Sequence, residues 1–260
     1  MSGVAVETAL RAARDRGRKL LVPYVTGGLR DDWVSVLEAM VGAGADAVEV
    51  GLPFSDPMVD GPTIQEASMR ALQRGTTPPS VLHDLRALEP HVPLVIMTYA
   101  NLVLRAGAKR FASELVAAGV RGAIVPDLPL EESSEWEAEA ATEGVETVLL
   151  AAPVTPDERL ARICERSHGF VYGVNLMGVT GERSMLSASS TVLAKRLKAV
   201  TDKPVLMGFG ISTPDQAVAA AEHADGVVVA SALMRAALDG ATPDELGAQV
   251  ASIRAALDRG

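Results

Sequence analysis

Cysteine, aromatic residues and long apolar runs are all scarce in this 260-residue chain. The one cysteine, Cys164, leaves no disulfide framework and no cysteine-based zinc site, and it points to a cytoplasmic setting. No apolar run approaches the roughly 18 residues that a membrane helix needs. The start, Met1-Ser2-Gly3-Val4-Ala5-Val6-Glu7, lacks the basic stretch and apolar core of a secretory signal. Lys and Arg (24) are outnumbered by Asp and Glu (33), a net charge of −9, and no basic stripe marks a nucleic-acid partner. The four histidines, His83, His91, His168 and His223, fall in or at the ends of helical segments, and no metal pair emerges from them. Aromatics make up 3 %, so each one near a strand end carries weight.

What the chain does have is a repeated rhythm. Short apolar runs recur at 20–26, 45–51, 93–98, 122–125, 147–151, 170–174, 204–208 and 226–230. Amphipathic stretches separate them, at 32–41, 108–118, 131–142, 156–167, 190–200, 214–222 and 232–238. Two further helical stretches, 63–73 and 79–88, lie between the second and third runs, and 7–14 and 243–257 flank the whole. Thr155-Pro156-Asp157, Thr213-Pro214-Asp215 and Thr242-Pro243-Asp244 each place Thr before a proline with acids in the first turn, which marks a helix start. Strands that alternate with helices pair in parallel, and eight is the number that closes a (β/α)8 TIM barrel. An open doubly wound sheet is the alternative. It usually carries G-x-G-x-x-G after its first strand, where this chain has Thr26-Gly27-Gly28-Leu29. The expectation is an α/β chain of one domain, 1–260, with an extra N-terminal helix and an extra helix after the second strand.

Glu49 breaks the pattern. It sits inside the second apolar run, where a strand buried on both faces should read as Val, Ile and Leu. A buried carboxylate costs several kcal/mol, about that much per ion, unless it is paired or has chemistry to perform. Asp60 follows in the loop Pro53-Phe54-Ser55-Asp56-Pro57-Met58-Val59-Asp60-Gly61-Pro62. Two carboxyls in unlike environments can serve as acid and base in one pocket. Glycine-rich turns follow the last strands: Gly208-Phe209-Gly210, Ala230-Ser231 and the loop Gly178-Val179-Thr180-Gly181. Backbone N–H groups at such turns, beside a helix start, suit a phosphate, and the 178–181 loop suits a lid.

Several of these segments resemble the tryptophan synthase alpha subunit. They are Pro53-Phe54-Ser55-Asp56-Pro57 with Asp60-Gly61-Pro62-Thr63-Ile64-Gln65, Tyr99-Ala100-Asn101, Pro126-Asp127-Leu128-Pro129, Gly178-Val179-Thr180-Gly181 and Gly208-Phe209-Gly210-Ile211-Ser212, in the family's order from about residue 20 to 235. The resemblance implies cleavage of indole-3-glycerol phosphate to indole and glyceraldehyde 3-phosphate, a carbon–carbon lyase reaction. No cofactor is implied in this chain, since pyridoxal phosphate belongs to a beta partner, and two alpha and two beta subunits would assemble. A stand-alone lyase that releases free indole is the alternative reading. By the same resemblance Glu49 is the general acid/base and Asp60 holds the indole N–H. Tyr24, Tyr99 and Leu128 line the indole pocket, and Tyr172 stands beside the substrate near Glu49. Thr180 and Gly181 close over the site, Gly181, Gly210 and Ser231 bind phosphate, and Asp56 faces the partner. Asp127 is open to a reactive or a loop-orienting role. Departures from the family pattern fall at Gly27-Gly28-Leu29-Arg30, Met58-Val59, Asn175, Glu182 and Ala230.

Overall fold

Eight parallel strands close on themselves in the order of the chain, β8 returning to pair with β1. The computed structural model describes residues 4–88, 91–174, 183–208 and 210–260. The strands are β1 (Leu20–Thr26), β2 (Val48–Gly51), β3 (Leu94–Met97), β4 (Gly122–Ile124), β5 (Glu146–Ala151), β6 (Val171–Val174), β7 (Val205–Gly208) and β8 (Gly226–Val229). The helices are α1 (Val6–Asp15), α2 (Trp33–Gly42), α3 (Pro62–Gln73), α4 (Pro78–Leu85), α5 (Ala100–Ala106), α6 (Ala108–Ala117), α7 (Ser134–Glu143), α8 (Asp157–Arg166), α9 (Arg183–Val200), α10 (Pro214–Ala221), α11 (Ser231–Leu238) and α12 (Pro243–Leu257). The barrel, its N-terminal helix and the extra helix after β2, where two helices precede β3, therefore stand as expected.

The period of two along each strand sorts side chains into an inward and an outward set. Leu20 and Val22 of β1 point inward and pack with Val95, Ile124, Val148, Phe170, Leu206 and Val228. Leu21 and Val25 point outward and join the helices, as do Val48 and Val50 of β2. The register then matters for function, because Tyr24 of β1 stands opposite Glu49 of β2. Both belong to the inward series, at the C-terminal end of the barrel where this fold builds its active sites.

The other end is plugged. Val6, Leu10 and Ala13 of α1 pack into the barrel interior. Ala5 offers α1 no side-chain cap, so the Glu146 carboxylate, at the start of β5, accepts the N–H groups of Val6 and Glu7 instead. Asp46, just before β2, accepts from Arg18 Nε (2.7 Å), Leu21 N (2.8 Å) and an Arg254 guanidinium nitrogen (3.2 Å), tying β1 and α12 to the barrel floor. With the floor sealed, one end remains for substrate. Among the described residues no helix is long and apolar enough to cross a membrane.

Three local expectations change. Thr213 and Thr242 cap α10 and α12 with reciprocal side-chain bonds, but Thr155 does not cap α8. Its hydroxyl instead accepts Ala152 N–H at 3.0 Å, closing the turn after β5. The segment after β3, where no helix is expected before 108, forms helix α5. Helix α9 begins at Arg183, seven residues before the expected 190.

Candidate active site

At the C-terminal strand ends lies a cavity of about 930 Å³. Its floor carries Glu49, and its walls include Tyr24, Asp60, Leu128 and Tyr172. Gly210 and Ser231 line it toward β7 and β8. The chain thus brings together residues that are 207 positions apart, between Tyr24 and Ser231. Thr180 and Gly181 lie outside the described residues, as do Asn175, Glu182 and Phe209.

Glu49 is almost wholly buried, and its Oε2 has no hydrogen-bond partner among the described residues. Loss of hydration pushes its pKa up to about 8, and the nearby charge of Asp60 adds to the shift. At neutral pH this side chain is mostly a carboxylic acid with a proton to give. Asp60 is buried less deeply, and burial lifts its pKa to about 6. A bond from the Tyr99 hydroxyl to Asp60 Oδ2 (2.9 Å) opposes that rise by favouring the charged form. The loop also holds Asp60 by its backbone. Its N–H donates to Pro57 O (3.2 Å) and its carbonyl accepts from Gln65 Nε2 (2.9 Å). Near pH 7 the pair is therefore one acid and one carboxylate.

Two phenols frame the acid. Tyr24 is buried, and its hydroxyl accepts from Thr26 Oγ1 at 3.3 Å. It fits because residue 51 has no side chain: a Cβ on Gly51 would lie 1.9 Å from the Tyr24 hydroxyl. Tyr172 of β6 fits for the same reason, since a Cβ on Gly208 would lie 2.6 Å from its ring. Burial, then the negative field of the carboxyls, holds both phenols well above their ordinary pKa, so both stay neutral.

Tyr99 is placed differently from the expectation of a pocket wall. It is absent from the described residues that line the cavity, and it stands behind Asp60. Its ring stacks on Phe54 with centroids 4.8 Å apart. Asp127 is exposed and accepts Ala100 N–H at 2.8 Å, which fits the loop-orienting role. Leu128 is half-buried on the cavity wall.

Among the described residues, the β7–β8 side of the cavity offers backbone and hydroxyl groups rather than cations. Gly210 takes φ +57°, a conformation glycine adopts without strain. Ser231 opens α11, whose N-cap Ala230 makes no side-chain bond to it, so among the described residues no side chain caps this helix start, a place that suits an anion. Ala230 has φ −120°, open to any residue, so alanine there is no strain. The basic side chain on the described wall, Arg159, is tied to Glu131 at 2.9 Å. Among the described residues no three His, Cys, Asp or Glu side chains gather as a metal site. The departure at the first loop is well anchored: Arg30 holds Asp32 through two bonds and reaches Ala241 O.

A model of the tryptophan synthase alpha chain family matches residues 10–255. The chain belongs to the tryptophan synthase alpha chain family. The tryptophan synthase alpha chain of Halorhodospira halophila is 44 % identical over 259 residues, 95 % of this chain and 94 % of that one. The Geobacter sulfurreducens alpha chain is 43 % identical, covering 94 % of each. Among solved structures, Mycobacterium tuberculosis tryptophan synthase superposes with a TM-score of 0.90 at 38 % identity, over 99 % of this chain and 100 % of that one. The alpha subunit from Legionella pneumophila gives 0.87 at 34 % identity, over 98 % of each. As a tryptophan synthase alpha chain this protein is a carbon–carbon lyase of L-tryptophan biosynthesis.

Two determinants escaped the sequence reading. Gly51 reads as a strand end, yet it makes room for Tyr24. Gln65 has no assigned role beyond its place in a resembling segment, yet its side-chain amide holds the Asp60 backbone. Their only signal was membership of conspicuous segments, a strand end and the Asp60–Gln65 block.

Proposed function

We propose that Glu49 and Asp60 cleave indole-3-glycerol phosphate in this cavity, Glu49 as general acid/base and Asp60 as the counter-ion of the indole ring. One observation carries the assignment. Glu49 is a buried carboxyl whose Oε2 has no hydrogen-bond partner among the described residues and whose pKa is pushed up to about 8, beside Asp60 with a pKa of about 6. The indole would lie among Tyr24, Leu128 and Tyr172, with its N–H toward Asp60. The phosphate would lie at Gly210 and Ser231, with Thr180 and Gly181 closing over it.

The protons balance on one residue. Glu49 gives its proton to C3 of the indole, and the ring becomes a cation with its charge on nitrogen. The Asp60 carboxylate opposes that charge in a site of low polarity, where such stabilisation is strong. The bond from C3 to the glycerol carbon then breaks, and its electron pair restores the aromatic ring. The hydroxyl on the departing carbon becomes the aldehyde of glyceraldehyde 3-phosphate, and its proton returns to Glu49. The chemistry asks for no cofactor in this chain.

The partner in this reading is a pyridoxal-phosphate beta subunit, in a cytoplasmic assembly of two alpha and two beta subunits. The loop that carries Asp60 supports it, because Met58 is 89 % exposed there and exposed Asp56 is adjacent. No observation favours the stand-alone lyase. Indole release from the purified chain, with and without a beta subunit, tests the reading. Slow release that the partner stimulates supports it. Fast release indifferent to the partner would replace it with a stand-alone lyase, and tight substrate binding without release would remove the assigned chemistry.

A further inference from the structure

We propose that Asp127 is a positioning residue for Asp60, acting through the peptide between Tyr99 and Ala100. Helix α5 has an unusual start. Its N-cap is Tyr99, which makes no side-chain bond to the helix, and its hydroxyl donates to Asp60. The first N–H of α5, on Ala100, is taken by a carboxylate from another loop, Asp127 Oδ1 at 2.8 Å. The cap is thus supplied from the loop after β4, and it frees the residue at the cap position for the site.

The geometry makes this matter. Fixing the Ala100 N–H fixes the peptide plane that follows Tyr99, whose backbone sits at φ −105° and ψ 148°. A tyrosine hydroxyl lies about 6 Å from its Cα, so a turn of about 10° at the backbone moves it by about 1 Å. That displacement is enough to break a bond of 2.9 Å. The ring is also held by its stack on Phe54, which lies in the loop that leads to Asp60. Asp127, Tyr99 and Phe54 therefore clamp one carboxylate from three segments. The ionisable groups that face Asp60 are Tyr99 after β3, Glu49 of β2, Tyr24 of β1 and Tyr172 of β6. Only Tyr99 among these makes a hydrogen bond to its carboxylate among the described residues.

The bond from Tyr99 favours the charged form of Asp60, so its loss raises the Asp60 titration midpoint. The test is a carbon-13 carboxylate NMR titration of the intact chain, with Asp60 assigned by its absence in Asp60→Asn. The wild-type midpoint is expected near 6. Tyr99→Phe should raise it by about one unit, the size of one bond to a charged group. Asp127→Ala should raise it in the same direction. Asp127→Asn keeps an oxygen for Ala100 N–H and should hold the wild-type midpoint. The double variant of Tyr99→Phe and Asp127→Ala should titrate like Tyr99→Phe alone, since both changes act on one bond. An Asp60 midpoint unmoved by Asp127→Ala overturns the proposal, even if the melting temperature falls. So does full additivity in the double variant. The consequence for turnover rests on the role proposed for Asp60. A midpoint that moves while indole release does not would sink that role and leave the positioning intact.

Discussion

Replacing Glu49 by glutamine should stabilise the protein relative to wild type, increasingly as pH rises, while it destroys activity. The folded chain holds this carboxyl at a pKa near 8 against an ordinary 4.5. Below about pH 4.5 the group is protonated in both folded and unfolded chains, and its titration costs nothing. As pH climbs toward 8 the unfolded chain releases the proton and the folded chain keeps it, so stability is lost across that window. At pH 7 the loss is about 3 kcal/mol, from roughly 2.5 units at 1.36 kcal/mol each. Glu49→Gln removes this titration. The buried amide brings a donor that lacks a partner, which offsets about 1–2 kcal/mol of the gain. That offset does not depend on pH, so the slope is the sharp observable. Denaturant melts of wild type and Glu49→Gln at about pH 5 and about pH 8 should differ in relative stability by about 3 kcal/mol, in favour of the variant at the higher pH. A stability difference that stays constant over that range would refute the reasoning, because Glu49 would then titrate alike in both states.

Gly51→Ala should displace the Tyr24 ring, since the new methyl would sit 1.9 Å from its hydroxyl. The expected cost is about 1–3 kcal/mol by urea denaturation, with a loss of indole release larger than the stability change explains. Thr98→Val should be neutral or stabilise by about 1 kcal/mol, because the Thr98 hydroxyl is fully buried and unpartnered among the described residues. A large loss of stability there would mean that the hydroxyl has a partner after all. Asp60→Asn should lower turnover with a smaller change in KM, and an unchanged rate would remove Asp60 from the mechanism.

The barrel was legible because a parallel strand buried on both faces leaves an uninterrupted apolar run, and β1 and α12 lie at the bounds the sequence predicts. Glu49 was legible for the converse reason, as a charge inside such a run. Helix α5 was not, because seven residues show too little periodicity and its cap comes from Asp127, 27 positions away. Thr155 shows the limit of cap signatures, since one hydroxyl can close a turn or cap a helix and the sequence does not say which. Tyr99 was read as a pocket wall from its residue type and place at a strand end. Its direction is set by Asp60, 39 positions earlier, and by the stack on Phe54, neither of which has a local signature.

The central claim is that Glu49 is the proton donor of a carbon–carbon cleavage. The most direct measurement is the pH dependence of kcat/KM for indole release, followed in wild type and Glu49→Gln, because kcat/KM reports the ionisations of the free protein. The account predicts an alkaline limb near 8, where Glu49 loses its proton, and a fall of at least about 10²-fold in Glu49→Gln. A profile that stays flat well above that pH, or a glutamine variant that turns over near the wild-type rate, would contradict it.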